Sequence, residues 1–120
     1  MILAILDDLM FTSKIKTAAS QLGVPVTFAR SADAARGEMQ KGAPSLVILD
    51  LNSARTDPLG IVRAMKANAE LASIPTVGFV SHVQIDVINA ARQAGVDEVL
   101  ARSAFTAQLA DILRRTERGP

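Results

Sequence analysis

The sequence predicts an α/β fold, a (βα)5 doubly wound parallel sheet, and three observations carry that prediction. Five short apolar runs alternate with amphipathic stretches, the pattern of repeated βα units. The runs are apolar continuously rather than at every second residue, as strands covered on both faces must be. Glycines, prolines and capping residues fall where one kind of segment gives way to the other.

The first strand is predicted over Ile2 to Leu6, and it stops at Asp7 and Asp8. The first helix follows from Leu9 to Leu22: Asp8 caps its start, Phe11, Ile15, Ala19 and Leu22 recur on one face, and Gly23 supplies the stop. Val24 to Ala29 reads as the second strand. A helix from Ala32 to Gln40 follows a Ser31 cap and carries Gly37 inside it, at a cost of about 1 kcal/mol against alanine. Leu46 to Leu49 forms the third strand and ends in Asp50. Asp57 can cap the third helix and Pro58 suits its first position; Ile61, Val62 and Met65 carry it toward Ala69. Pro75 marks entry to the fourth strand, Thr76 to Val80. The fourth helix is predicted from Val83 to Ala94 with Gly95 as its stop, the fifth strand over Glu98 to Ala101, and the fifth helix after Ser103 with Phe105, Leu109, Ile112 and Leu113 inward.

At 120 residues and 49% apolar content, the chain is expected to form one domain with its own core and no attached output domain. No apolar run approaches a membrane span, and the opening run lacks a basic start or a cleavage site. Cysteine is absent, which excludes disulfides, thiolate metal sites and cysteine nucleophiles, and makes the cytoplasm the expected compartment. With 13 basic and 12 acidic residues, charge gives no argument for nucleic acid or an anionic membrane. The chain has no Trp or Tyr, and its scattered phenylalanines offer no stacking platform. Arg114, Arg115 and Arg118 read as partners of a helix C-terminus and a solvated tail.

In open parallel sheets, ligands bind beyond the carboxyl ends of the strands where the strand order reverses. For a flavodoxin-like order of 2-1-3-4-5, that point lies between strands one and three. Asp7 and Asp8 end one of these strands and Asp50 ends the other. Two carboxylates about 4 Å apart repel by roughly 4 kcal/mol at an effective dielectric near 20, so such a crevice needs a cation, a proton or a basic side chain. Mg²⁺ suits it, being an oxygen-seeking ion commonly held by one or two carboxylates together with phosphate oxygens.

The Asp-Asp pair after the first strand, the aspartate ending the third and the hydroxyl of Ser81 ending the fourth together resemble the response-regulator receiver domain (CheY-like) of two-component signalling. The stretch Gln93 to Glu98 resembles the alanine-glycine turn before that family's fifth strand, and the likeness spans nearly the whole chain. The resemblance implies that Asp50 is the phosphoacceptor, attacking a phosphohistidine of a sensor histidine kinase or phosphotransfer protein. It implies Mg²⁺ held by Asp8, Asp50 and the backbone carbonyl of Asn52, with Asp7 acting through a metal-bound water. Ser81 would hydrogen-bond a phosphoryl oxygen, and the signal would pass to a downstream protein partner through the face of helix four, strand five and helix five. No separate substrate turnover is implied.

Several positions depart from that pattern. Arg102 stands where receivers carry a lysine, no proline follows it, and a guanidinium is longer and planar. A contact to phosphate and a solvated surface position are both open to Arg102. Val99 replaces the aromatic residue whose swing reports phosphorylation in many receivers. The segment after Asp50, from Leu51 to Gly60, is about two residues longer than usual, which could reshape access to Asp50. His82, the lone histidine, either sits idle on a loop or gates the pocket. A phosphorylation switch is therefore the leading expectation. The alternative is a pseudo-receiver, a protein-interaction module independent of phosphate. A flavodoxin-like enzyme or nucleotide binder is disfavoured, because no glycine-rich loop follows the first strand.

Overall fold

A computed structural model describes residues 1–81 and 84–115 of the chain. Its elements alternate as the apolar runs require: β1 (Ile2–Ile5), α1 (Leu9–Leu22), β2 (Val26–Ala29), α2 (Ala32–Lys41), β3 (Leu46–Asp50), α3 (Pro58–Lys66), β4 (Thr76–Val80), α4 (Ile85–Ala94), β5 (Glu98–Ala101) and α5 (Arg102–Arg114). The five strands form one parallel sheet in the order β2-β1-β3-β4-β5, the flavodoxin-like order. Among the described residues, no helix is long and apolar enough to cross a membrane.

Successive strand residues point to opposite faces, so the sheet divides the core in two. Ile2, Ala4, Leu46, Ile48, Val77 and Phe79 face α1 and α5, where Phe11, Ile15, Phe105 and Leu109 meet them. Leu3, Ile5, Val47 and Leu49 pack on the other side with Ile61, Val62 and Met65 of α3 and Ala91 of α4. β1, β3 and β4 are buried throughout, whereas β2 and β5 at the sheet edges are only partly covered. That difference explains why the outer apolar runs are the weaker ones.

Capping sets most of the helix limits. Asp8 accepts the Phe11 N–H at the start of α1, and Gly23 ends it in the left-handed conformation at φ 69°. Ser31 accepts the Ala34 N–H to open α2. Asp57 caps α3 from an unusual left-handed conformation of its own, at φ 45°, with Pro58 in the first turn. α3 stops at Lys66, short of the expected Ala69, because Asn68 starts a turn: its carbonyl accepts from Leu71 and Ala72, and its side chain accepts the Glu70 N–H. β2 starts two residues later than expected, because the Val24 N–H closes α1 onto Ala19 and is spent there. α4 is described from Ile85, and the expected start at Val83 lies outside the described residues.

The fifth helix departs from the expectation in a way that matters for the site. It begins at Arg102, directly from the end of β5, rather than after Ser103. The capping position is Ala101, which has no side chain to give, and Ser103 lies exposed in the first turn. At the other end Arg115 pairs with Glu98 of β5, tying the helix back to its own strand. Arg118 lies outside the described residues.

Candidate functional site

Register brings the candidate residues to one edge of the sheet. β1 pairs with β3 up to Ile5↔Leu49, so the residues that follow β1 run past Asp50. Asp50 itself pairs with Phe79. β4 pairs with β5 up to Val80↔Ala101, which places Ser81 and Arg102 side by side one step further on. Asp7, Asp8, Asp50, Asn52, Ser81 and Arg102 thus all lie at the carboxyl ends of the strands around the β1/β3 switch point.

Asp50 is the buried member, with only 8% of its surface accessible. It belongs to the same strand parity as Leu46 and Ile48 and therefore leans toward the α1/α5 side. Its Oδ1 accepts the Asn52 N–H at 3.0 Å, a local bond that fixes the carboxylate's rotation. Burial pushes the Asp50 carboxyl above the ordinary aspartate value; the Asn52 N–H and Arg102 pull it down, and the charges of Asp8 and Asp7 push it up further.

Asp8 is used differently. Its Oδ1 accepts the Phe11 N–H at 2.9 Å as the cap of α1, and its Oδ2 takes an ion pair from Arg102 Nη2 at 2.9 Å. Asp8 is held below the ordinary carboxylate range first by the Phe11 N–H and then by the Arg102 guanidinium. The same guanidinium donates through Nη1 to Ser81 Oγ at 3.3 Å and lies 4.2 Å from the centre of the Phe11 ring. Its other face of contacts is polar and its underside aromatic, a setting in which a planar cation is well held. Phe11 rests in turn on Phe79 and Phe105, with ring centroids 4.8 and 5.8 Å away. Arg102 thus lies at the same sheet edge as the acids, bonded to Asp8 and Ser81 and stacked on Phe11.

The expected three-carboxylate metal group is not formed. Among the described residues, no set of three or more histidine, cysteine, aspartate or glutamate side chains is placed to hold a metal ion. The acids are near enough for Asp7 and Asp8 to act on Asp50 by charge, but both Asp8 oxygens are already bonded, one to a backbone N–H and one to Arg102. In this arrangement a divalent ion would have to compete with the Arg102 guanidinium for Asp8. A basic side chain, the other remedy for crowded carboxylates, stands there instead.

Two contributors escaped the reading of the sequence. Asn52 enters through its side chain: Oδ1 accepts the Ser81 N–H at 2.7 Å, linking the loop after β3 to the end of β4. An asparagine two residues past a strand is too common a loop residue to reveal that role. Phe11 looked like a core position of α1 and is one, yet its ring also carries the guanidinium. Val99 packs with the core on the α3 and α4 side, so an aromatic swing is absent at that position. The segment Leu51 to Asp57 closes on itself through Ser53 and Asp57 N–H bonds to the carbonyls of Asp50 and Ala54, and Thr56 within it is fully buried. His82 lies outside the described residues.

The sequence matches no protein-family model and no curated protein. In structure the chain is similar to response-regulator receivers over nearly its whole length. The Mn²⁺-bound form of response regulator Rcp1 superposes with a TM-score of 0.81 at 19% identity, covering 99% of this chain and 95% of that one. Chemotaxis response regulator CheY4 of Vibrio cholerae gives 0.82 at 18% identity, with 95% of each chain covered. The signal receiver domain of a DNA-binding response regulator from Colwellia psychrerythraea 34H gives 0.82 at 21% identity, with 97% of each covered. The chain thus has the receiver-domain fold.

Proposed function

We propose that this chain is a receiver module of two-component signalling in which Asp50 accepts a phosphoryl group and passes the signal on by protein contact. One observation carries the reading: a buried carboxylate ends β3 at the switch point, and a guanidinium and a hydroxyl converge beside it from β4 and α5. A poorly solvated carboxylate is a stronger nucleophile than one in water, and its orientation is set by the Asn52 N–H. Asp50 would attack the phosphorus of a phosphohistidine on a sensor kinase or phosphotransfer protein. The P–N bond would break, the imidazole would leave and take up a proton, and an acyl phosphate would remain on Asp50. Arg102 and Ser81 would hydrogen-bond the transferred oxygens, neutralising charge that spreads over them. In this reading the protein turns over no separate substrate. It acts in the cytoplasm, and its downstream partner meets the face of α4, β5 and α5.

Mg²⁺ is the cofactor that the sequence brings to mind. It could be held by Asp8, Asp50 and the Asn52 carbonyl only if Asp8 were released from Arg102. A pseudo-receiver is the second reading, favoured by two features: Arg102 spent on Asp8, and Val99 in place of an aromatic switch residue.

Treatment with a small phosphodonor, with and without Mg²⁺, tests the proposal by intact mass. A gain of one phosphoryl group that disappears in Asp50→Asn, with amide shifts at Asn52 and Ser81, is the expected outcome. Unchanged mass with donor and with a phosphorylated partner domain would leave the pseudo-receiver reading in its place.

A further inference from the structure

Each polar contact of Arg102 ends on a different part of the site. Nη2 holds Asp8 at 2.9 Å, Nη1 reaches Ser81 at 3.3 Å, and the guanidinium carbon stacks 4.2 Å from the Phe11 centroid. Its own backbone is anchored, since Arg102 opens α5 and its carbonyl accepts from Thr106 Oγ1 at 2.9 Å. The side chain is therefore not a loose surface arm: Arg102 and Asp8 retain 34% and 38% of their side-chain exposure. Each Asp8 oxygen has a bonded partner, and among the described residues no three carboxylates are placed to hold a metal ion.

We propose that Arg102 is the resident cation of this crevice: it holds the charge-balancing position beside Asp8, and so makes the site selective for phosphoryl oxygens over divalent metal ions. The inference rests on the reading of Asp50 as a phosphoacceptor and assigns the selectivity of that same site. A guanidinium presents several N–H donors in one plane, matched to phosphoryl oxygens, and it stays charged at any physiological pH. A divalent ion faces two obstacles at once. It must displace the guanidinium from Asp8, and it is repelled by that charge as long as the side chain stays near. The charge of Arg102 is also felt at Asp50, where it favours the ionised form.

The test is a titration of the intact protein with Mn²⁺, read by paramagnetic broadening of the Asp8, Asp50, Asn52 and Ser81 amides, in wild type, Arg102→Gln and Arg102→Lys. Wild type is expected to show only weak broadening at these amides, and Arg102→Lys, which keeps a charge but not the planar two-pronged hold on Asp8 and Ser81, to fall between wild type and Arg102→Gln. Arg102→Gln should bind Mn²⁺ at least about tenfold more tightly, the scale of removing one nearby like charge and freeing one ligand. Equal affinity in wild type and Arg102→Gln, or no binding in either, would overturn the inference. Should Arg102→Gln not fold, Arg102→Ala, which also removes the charge, takes its place and is read by the same two outcomes. Phosphodonor treatment of the same samples keeps the two ideas apart, because unmodified Asp50 in every variant removes the phosphoacceptor reading and leaves the metal result standing.

Discussion

Replacing Asp50 with asparagine is expected to raise the stability of the protein at neutral pH. The asparagine side chain has nearly the same shape, and its oxygen can keep the Asn52 N–H bond now made at 3.0 Å. What disappears is a charge that burial disfavours and that Asp7 and Asp8 repel. Relief of that desolvation contributes roughly 1–3 kcal/mol. Against it stand the weaker bond to a neutral acceptor and the lost attraction to Arg102, together about 1 kcal/mol. The net gain is therefore on the order of 1 kcal/mol, or roughly 3–5 °C in Tm for a chain of this size. The pH dependence gives the sharper check. Because the folded-state value of Asp50 lies above the unfolded one, about 3.9, the folded protein binds its proton more tightly. Wild-type stability then carries no penalty from Asp50 below the unfolded value, loses ground as pH rises through the folded value, and carries the full penalty above it. Thermal unfolding of both proteins from about pH 3.5 to neutrality should show a Tm gap that opens as pH rises. A variant no more stable than wild type at neutral pH, or a gap that ignores pH, would refute the reasoning.

Gly78→Ala places a Cβ 2.7 Å from Leu51 Cδ1 and 2.8 Å from its Cγ, inside the buried side chain that follows Asp50. Overpacking costs about 1–3 kcal/mol and is offset by roughly 0.5–1 kcal/mol of backbone entropy, so urea unfolding should show a net loss near 1 kcal/mol. Gly95→Ala should cost at least about 1 kcal/mol in the same assay, since φ is 112° there and the new methyl would sit 2.8 Å from Lys66 Cε. Thr76→Val removes the fully buried hydroxyl that donates to Asp97 Oδ2 and accepts the Asp97 N–H at 2.9 Å. A loss of about 1–2 kcal/mol is expected, with faster hydrogen exchange at the Asp97 amide.

How far the sequence could be read depended on whether a local device marked each position. α1 was legible from end to end because Asp8 and Gly23 are strong capping signals and both are used. The start of α5 was not, because Ala101 leaves no capping trace and the nearby Ser103 offered a false one. Strand order and residue spacing were enough to bring Asp7, Asp8 and Asp50 to one edge. They could not say which way Asp8 would turn, since that depends on a contact with a residue 94 positions away in the chain. Nor does spacing along the chain reveal that Asn52 reaches Ser81 through its side chain. Positions were inferred well, whereas the pairing of charges needed three-dimensional distances.

The Arg102 guanidinium on the Phe11 ring also provides a spectroscopic handle. The chain has no tryptophan or tyrosine, so fluorescence has little to report. Side-chain protons of an arginine held 4.2 Å above a ring centre fall in the shielding cone of its π current and resonate upfield. Were the guanidinium to swing away from the ring toward a phosphoryl group, that shielding would be lost. The Arg102 methylene and Nε–H signals would move downfield in proportion to the fraction displaced, giving a label-free gauge of occupancy from a single pair of residues.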